Sequence, residues 1–206
     1  MIYASVMNGF EQSLVSNMGN FNLDLPAETI TRLGEYYSLL TRWNDRLHLV
    51  APCSPEEFAI RHVLESLLLL RYLPLNAIVA DIGSGGGLPI IPCLIARPDL
   101  EATLIESSQK KVIFLREASN QLGLHAQIIA RPFEDVPTPQ VSFITCRALD
   151  QFMRKLPALI NWAPKNSILL LFGGETLGDQ LRRANVNFEQ LLIPQSEKRY
   201  LFLATD

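Results

Sequence analysis

Asp81-Ile82-Gly83-Ser84-Gly85-Gly86-Gly87-Leu88-Pro89 joins a short apolar run, Ala77–Ala80, to a longer one, Leu88–Ala96. Strand-length apolar run, glycine turn and helix-length apolar run is the order a nucleotide-binding loop needs. Glycines at 83, 85 and 87 let the backbone turn with no Cβ in the way. A ligand can then lie against bare main chain, with the next helix N-terminus pointing at it. Pro89 suits the start of that helix, where an N–H has no intrahelical partner. Asp81, at the strand end, offers a carboxylate to a ligand that carries an ammonium.

A dinucleotide fingerprint requires glycine at its last position, and Leu88 stands there instead, which speaks against an NAD dehydrogenase. Asp-x-Gly-x-Gly-x-Gly resembles the loop of S-adenosylmethionine (SAM) methyltransferases, and the amino acid half of SAM supplies the ammonium. Glu106 closes the next apolar run. A carboxylate there either accepts hydrogen bonds from two ribose hydroxyls or favours the N-terminus of the following helix. Phe133-Glu134-Asp135 follows the third run, offering a ring to pack on adenine and a carboxylate for its amino group, or forming a solvated loop. Arg147 follows the fourth run, where open α/β sheets bind ligands. It can serve the SAM carboxylate, a substrate phosphate, or a structural pairing with an acidic residue.

These residues need a sheet to hold them. Ala77–Ala80, Ala102–Ile105, Gln127–Ala130, Val141–Thr145 and Ile168–Phe172 alternate with helical stretches, which predicts parallel strands with crossovers. Phe188–Ile193 and Arg199–Leu203 flank a five-residue turn and predict a terminal antiparallel pair. The first seventy residues read as helical. Ile30, Leu33, Tyr37, Leu40, Trp43 and Leu47 recur at spacings of three and four. A second helix runs from about Pro55 to Tyr72, with Ser54 as N-cap and Glu57 completing a capping box. This is an α/β fold, a helical N-terminal extension over 1–75 and a sheet domain over 76–206, packed as one globular unit.

Of 206 residues, 48% are hydrophobic and 19% charged, which allows a sizeable core. Cys53, Cys93 and Cys146 are too scattered for a disulfide framework or a zinc site, so no metal is expected, and a reducing cytoplasm fits. Residues 1–20 lack the basic cluster and apolar run of a signal peptide. Leu64–Leu70 is ended by Arg71 and Pro74 too soon to span a membrane. The net charge of −3 argues against a global nucleic-acid footprint but leaves room for a local one. Arg42, Arg46, Arg61, His62, Lys110, Lys111 and Arg116 are the candidate RNA-binding set if they converge on one rim. Trp43 and Trp162 read as core, and His62 as a hydrogen-bonding structural residue.

Together these pieces resemble the small-subunit ribosomal RNA guanine-N7 methyltransferase family, also called glucose-inhibited division protein B (RsmG/GidB type). The likeness runs through Leu40-Thr41-Arg42-Trp43-Asn44, Arg61-His62-Val63-Leu64-Glu65-Ser66, the loop 81–89 with Ile91-Pro92, and Arg97-Pro98. It continues through Thr103-Leu104-Ile105-Glu106-Ser107, Lys110-Lys111-Val112, Phe114-Leu115-Arg116, Arg147-Ala148 and Arg199-Tyr200-Leu201. It implies a class I SAM-dependent methyltransferase with a Rossmann-like seven-strand sheet, SAM contacts at Gly83, Leu88, Phe133, Glu134 and Arg147, and 16S rRNA or a small ribosomal subunit assembly intermediate as partner of a cytoplasmic monomer. His48-Leu49-Val50, Glu65, Ile90 and Gly173-Gly174 depart from the family pattern.

Guanine N7 carries a lone pair and no proton, so attack on a sulfonium methyl requires no general base, and no catalytic acid or base is assigned. A SAM enzyme with a small-molecule or protein substrate, and a non-catalytic SAM-binding domain, are the alternative readings.

Overall fold

The computed structural model describes residues 7–147 and 152–205, with residues 152 and 153 described by backbone alone. Seven strands form one sheet in the order β3-β2-β1-β4-β5-β7-β6. They are β1 (Ile78–Ile82), β2 (Glu101–Ile105), β3 (Ala126–Ile129), β4 (Phe143–Arg147), β5 (Ile168–Gly173), β6 (Asn187–Leu192) and β7 (Tyr200–Thr205). β1 to β5 are parallel, β7 runs antiparallel to β5, and β6 is antiparallel to β7. The chain winds outward from β1 to β3 on one side and from β4 onward on the other. The crevice at the carboxyl ends of β1 and β4 is therefore the switch point where such sheets bind ligands.

Strand alternation divides the core in two. Val79, Leu104, Phe143, Leu170 and Leu201 face a core shared with α1 (Gly9–Asn17), α2 (Ala27–Leu47), α4 (Ile90–Ala96) and α5 (Gln109–Gln121). Ala80, Ile105, Ile144, Leu171 and Phe202 face the opposite core, with α6 (Phe152–Trp162) and α7 (Glu175–Arg183). The N-terminal helices thus cover the sheet and contribute to its larger core. Among the described residues no helix is long and apolar enough to cross a membrane.

Between α2 and β1 lies α3, residues 55–71, which changes type along its length. It is α-helical at Pro55–Glu57 and Glu65–Leu67, π-helical at Phe58–Leu64, and 3-10 at Leu68–Arg71. π segments recur at functional sites, and this one carries Arg61 and His62. Only half of the anticipated capping box forms. Ser54 Oγ accepts from the Glu57 N–H at 3.0 Å, whereas the Glu57 carboxylate pairs with Arg61. A complete, reciprocal box opens α1 instead, between Asn8 and Glu11. Pro89 is the N-cap of α4 rather than its first residue. In α2 the deepest aromatic is Tyr36, fully buried, with Tyr37 half-buried beside it.

Candidate active site

The glycine loop leaves β1 at Ile82 and turns through three left-handed glycines, Gly83 (φ 69°), Gly85 (φ 53°) and Gly87 (φ 84°). A side chain at Gly87 would place its Cβ 2.2 Å from Ile91 Cδ1, so glycine is required there for packing as well as for φ. Several bonds hold the loop. Gly83 N–H donates to Ile105 O at 2.8 Å, and the buried Tyr36 hydroxyl donates to Gly86 O at 2.6 Å. Glu106 accepts from Gly85 N–H at 2.9 Å through Oε2 and from Ser108 N–H at 2.7 Å through Oε1. Its carboxylate therefore ties the glycine loop to the N-terminus of α5, and among the described residues two of its roughly four lone-pair sites are left for a ligand.

Beside the loop is a cleft of about 140 Å³ lined by Leu49, Val50, His62, Gly83–Gly86, Leu88, Lys111 and Arg147. Leu49 and Val50 reach it because α2 ends at His48 in a left-handed conformation (φ 49°). Asn44 then clamps the next turn, donating to Val50 O at 3.1 Å and accepting from Val50 N–H at 2.9 Å.

Asp81 lies at the strand end beneath this loop and is fully buried. Strand register sets it opposite Thr145, whose hydroxyl donates to Asp81 Oδ1 at 2.6 Å. Asp81 Oδ2 has no hydrogen-bond partner among the described residues. Burial pushes this carboxyl up to about 7, only partly offset by the Thr145 bond. An unpaired buried carboxylate oxygen is costly, and a cationic ligand group would relieve it.

Arg147 closes the cleft from the end of β4. Its guanidinium donates to Glu65 Oε2 at 3.2 Å, to Ser66 Oγ at 3.4 Å and to the Arg61 carbonyl, and lies 5.5 Å over the Phe172 ring. The structural pairing and the cleft position thus coexist in one residue. Glu65 is 1% exposed and also accepts from Arg199 Nε at 3.1 Å and from its terminal nitrogen at 2.6 Å. His62 lines the cleft with Nδ1 buried and unpartnered among the described residues, which corrects the expectation of a hydrogen-bonded structural histidine. Burial, then Arg147, Arg61 and Arg199, push it down to about 3, so it is neutral.

Other expected site residues are placed differently. The Phe133 ring is 2% exposed and packs edge-on to Trp162 at 5.7 Å, so it belongs to the core and is not an open platform for adenine. An apolar residue after a strand serves either purpose, and here packing claims it. Glu134 is exposed and pairs with Lys155 at 3.2 Å. Of the basic set, His62 and Lys111 line the cleft. Arg61 lines a neighbouring groove. Arg42 lines a separate cavity of about 610 Å³ between α1, α2 and the end of α5. Arg46, Lys110 and Arg116 are exposed on their helices and line neither cleft nor groove. Three of the seven, Arg61, His62 and Lys111, thus line the cleft or its neighbouring groove. Ala148 lies outside the described residues. Sequence reading missed Tyr36, Glu65 and Arg199. For Glu65 a signal existed, a lone carboxylate inside the apolar run Val63–Leu70.

Comparison with known proteins adds a second line of evidence. The profile described as GidB, rRNA small subunit methyltransferase G, matches residues 29–203. The chain is 34% identical over 169 residues to the ribosomal RNA small subunit methyltransferase G of Halorhodospira halophila, covering 82% of this chain and 80% of that one. It is also 34% identical to the protein of the same name from Sorangium cellulosum, covering 86% of this chain and 76% of that one. Among solved structures, a SAM dependent methyltransferase from Aquifex aeolicus shares the fold. Its TM-score is 0.61 at 15% identity, over 82% of this chain and 98% of that one.

Proposed function

This chain belongs to the GidB family, rRNA small subunit methyltransferase G, and from that premise we propose that its cleft transfers a methyl group from SAM to small-subunit ribosomal RNA. The acceptor in this reading is N7 of a guanine in 16S rRNA, met as a small subunit or an assembly intermediate by a cytoplasmic monomer. The helical region 1–75 acts as an extension of the methyltransferase domain 76–206, packed with it as one unit. The observation that carries the cofactor assignment is the glycine loop at the sheet's switch point, with the unpartnered Asp81 Oδ2 beneath it.

Bound SAM supplies a methyl carbon made electrophilic by its sulfonium. The chain's part is to hold and orient. Asp81 would accept from the ammonium, the main chain of Gly83 to Gly86 would lie against the ligand, and the remaining lone pairs of Glu106 would accept from the ribose hydroxyls. Glu134 would exchange Lys155 for the adenine amino group, and Arg147 would donate to the cofactor carboxylate. Leu49, Val50 and Leu88 line the cleft with apolar surface that restricts water. Neither Tyr36 nor His62 is poised as a general base. Burial raises the Tyr36 phenol, whose hydroxyl is already donated to Gly86 O, and His62 is held near 3. Positioning of nucleophile and methyl in line supplies the barrier reduction, about 7–11 kcal/mol when well oriented. Small subunits lacking the modification, incubated with labelled SAM and this protein, should yield 7-methylguanosine in 16S rRNA on digestion and mass analysis. Label on another base overturns the N7 assignment, and no label in RNA overturns the substrate class.

Asp81 also predicts a pH dependence. Its carboxyl ionises near 3.8 when unperturbed and near 7 in the folded protein. The protonated form is favoured by folding, so this group's contribution to stability is whole below pH 3.8 and is lost as pH rises through 7. A bound ammonium needs the ionised form. SAM affinity should therefore rise about tenfold per pH unit up to about 7 and then level. Calorimetry from pH 5.5 to 8.5 tests this. The slope should vanish in Asp81→Asn, and a flat wild-type profile removes Asp81 from the ammonium.

A further inference from the structure

Glu65 anchors two arginines that face different spaces. Arg147, 15% exposed, faces the cleft, while Arg199, 35% exposed, faces a groove of about 340 Å³ on the other side of the same wall. The groove runs between the start of α3, with Ser54 and Arg61, and the turn before β7, with Gln195 and Arg199. Its wall is thin. Arg61 lines the groove, its carbonyl accepts from Arg147, and the next residue, His62, lines the cleft.

The two groove arginines are held differently. Arg199 uses two of its five N–H groups on a carboxylate that is 1% exposed, so its fork is fixed in place with donors to spare. Arg61 pairs with Glu57 on the surface, a bond that costs little to exchange. Glu56 stands on the same rim.

We propose that this groove seats a backbone phosphate of the substrate RNA, with Arg199 as the fixed contact, Arg61 as the contact that exchanges Glu57 for it, and Glu65 as the positioning residue. A strand lying in the groove has its adjoining base next to the cleft. The proposal rests on the RNA methyltransferase reading above and names where that RNA is held.

The test measures binding of small ribosomal subunits lacking the modification, by fluorescence anisotropy of labelled protein at several salt concentrations, with SAM affinity measured in parallel. Arg199→Gln and Arg61→Gln should each weaken subunit binding at least fivefold. Each should lower the slope of log affinity against log salt by about one, as loss of one phosphate contact requires. SAM affinity should stay within twofold of wild type. Arg61→Gln leaves Glu65 untouched, so it reports on the groove even if Arg199→Gln disturbs the fold. Wild-type subunit affinity and salt slope in Arg61→Gln and in a folded Arg199→Gln overturn the proposal, as does a parallel loss of SAM binding. Wild-type protein that binds subunits but transfers no methyl fails the reading of the previous section alone. Wild-type protein that binds no subunits overturns both.

Discussion

Gly85→Arg will lower affinity for SAM by more than about a hundredfold, or ~2.8 kcal/mol, while the protein still folds. Gly85 adopts φ +53°, which costs an L-residue about 1–2 kcal/mol, and a Cβ there meets only Gly83 O, at 3.7 Å. The backbone can therefore carry a side chain. What it cannot keep is an open cleft, because Gly85 lines it. The new guanidinium joins Arg147 and Lys111 in a space proposed for an ammonium and a sulfonium. Gly87 is the wrong place for this experiment, since a Cβ there collides with Ile91 and loss of binding would be confounded with loss of fold. Calorimetry with SAM, alongside thermal unfolding, reads the two effects separately. A folded Gly85→Arg protein that binds SAM like wild type would show that the glycine loop is not the cofactor's seat.

Glu65→Ala will have the largest effect on stability. Removing one partner of a buried ion pair typically costs about 3–5 kcal/mol, because the remaining charge is left desolvated. Here two guanidiniums lose the same partner, Arg147 at 15% exposure and Arg199 at 35%. For a chain of this size that corresponds to a fall in Tm of about 10 °C. Arg147 keeps Ser66 Oγ, the Arg61 carbonyl and the Phe172 ring, so it should stay near the cleft but less tightly held. Glu65→Asp preserves the charge and should recover most of the loss. A Tm unchanged in Glu65→Ala would mean that the two arginines find other partners.

These two residues also mark what the sequence made legible. The glycine loop is contiguous, so residue type and order alone indicated a strand, a turn and a helix. The alternating strands were readable for the same reason, since a strand buried on both faces is a short apolar run. The Glu65 cluster was readable only at its centre, where a lone carboxylate interrupts an apolar run. Its partners lie 82 and 134 positions away, and no local pattern around Arg147 or Arg199 points to a shared carboxylate. Phe133 was ambiguous for another reason. Its position after a strand was right for a ligand loop, but ring burial is decided by Trp162, which arrives from α6. Which space each basic residue faces was not readable, because helix phase, which points Arg42 into another cavity than Lys111, depends on how each helix lies on the sheet.

The π segment at Phe58–Leu64 has one more implication. Wide turns hold more residues per rotation than α turns, and an α-helix advances about 100° per residue. If the segment tightened to a regular helix, or lost a residue, everything beyond it would be re-phased about the axis. Glu65 and Ser66 would then swing off the β4 side, and the apolar run Leu67–Leu69 would leave the sheet. The bulge works as a mechanical clutch. It lets Arg61 be set to the groove and His62 to the cleft while the rest of the rod stays meshed with the core.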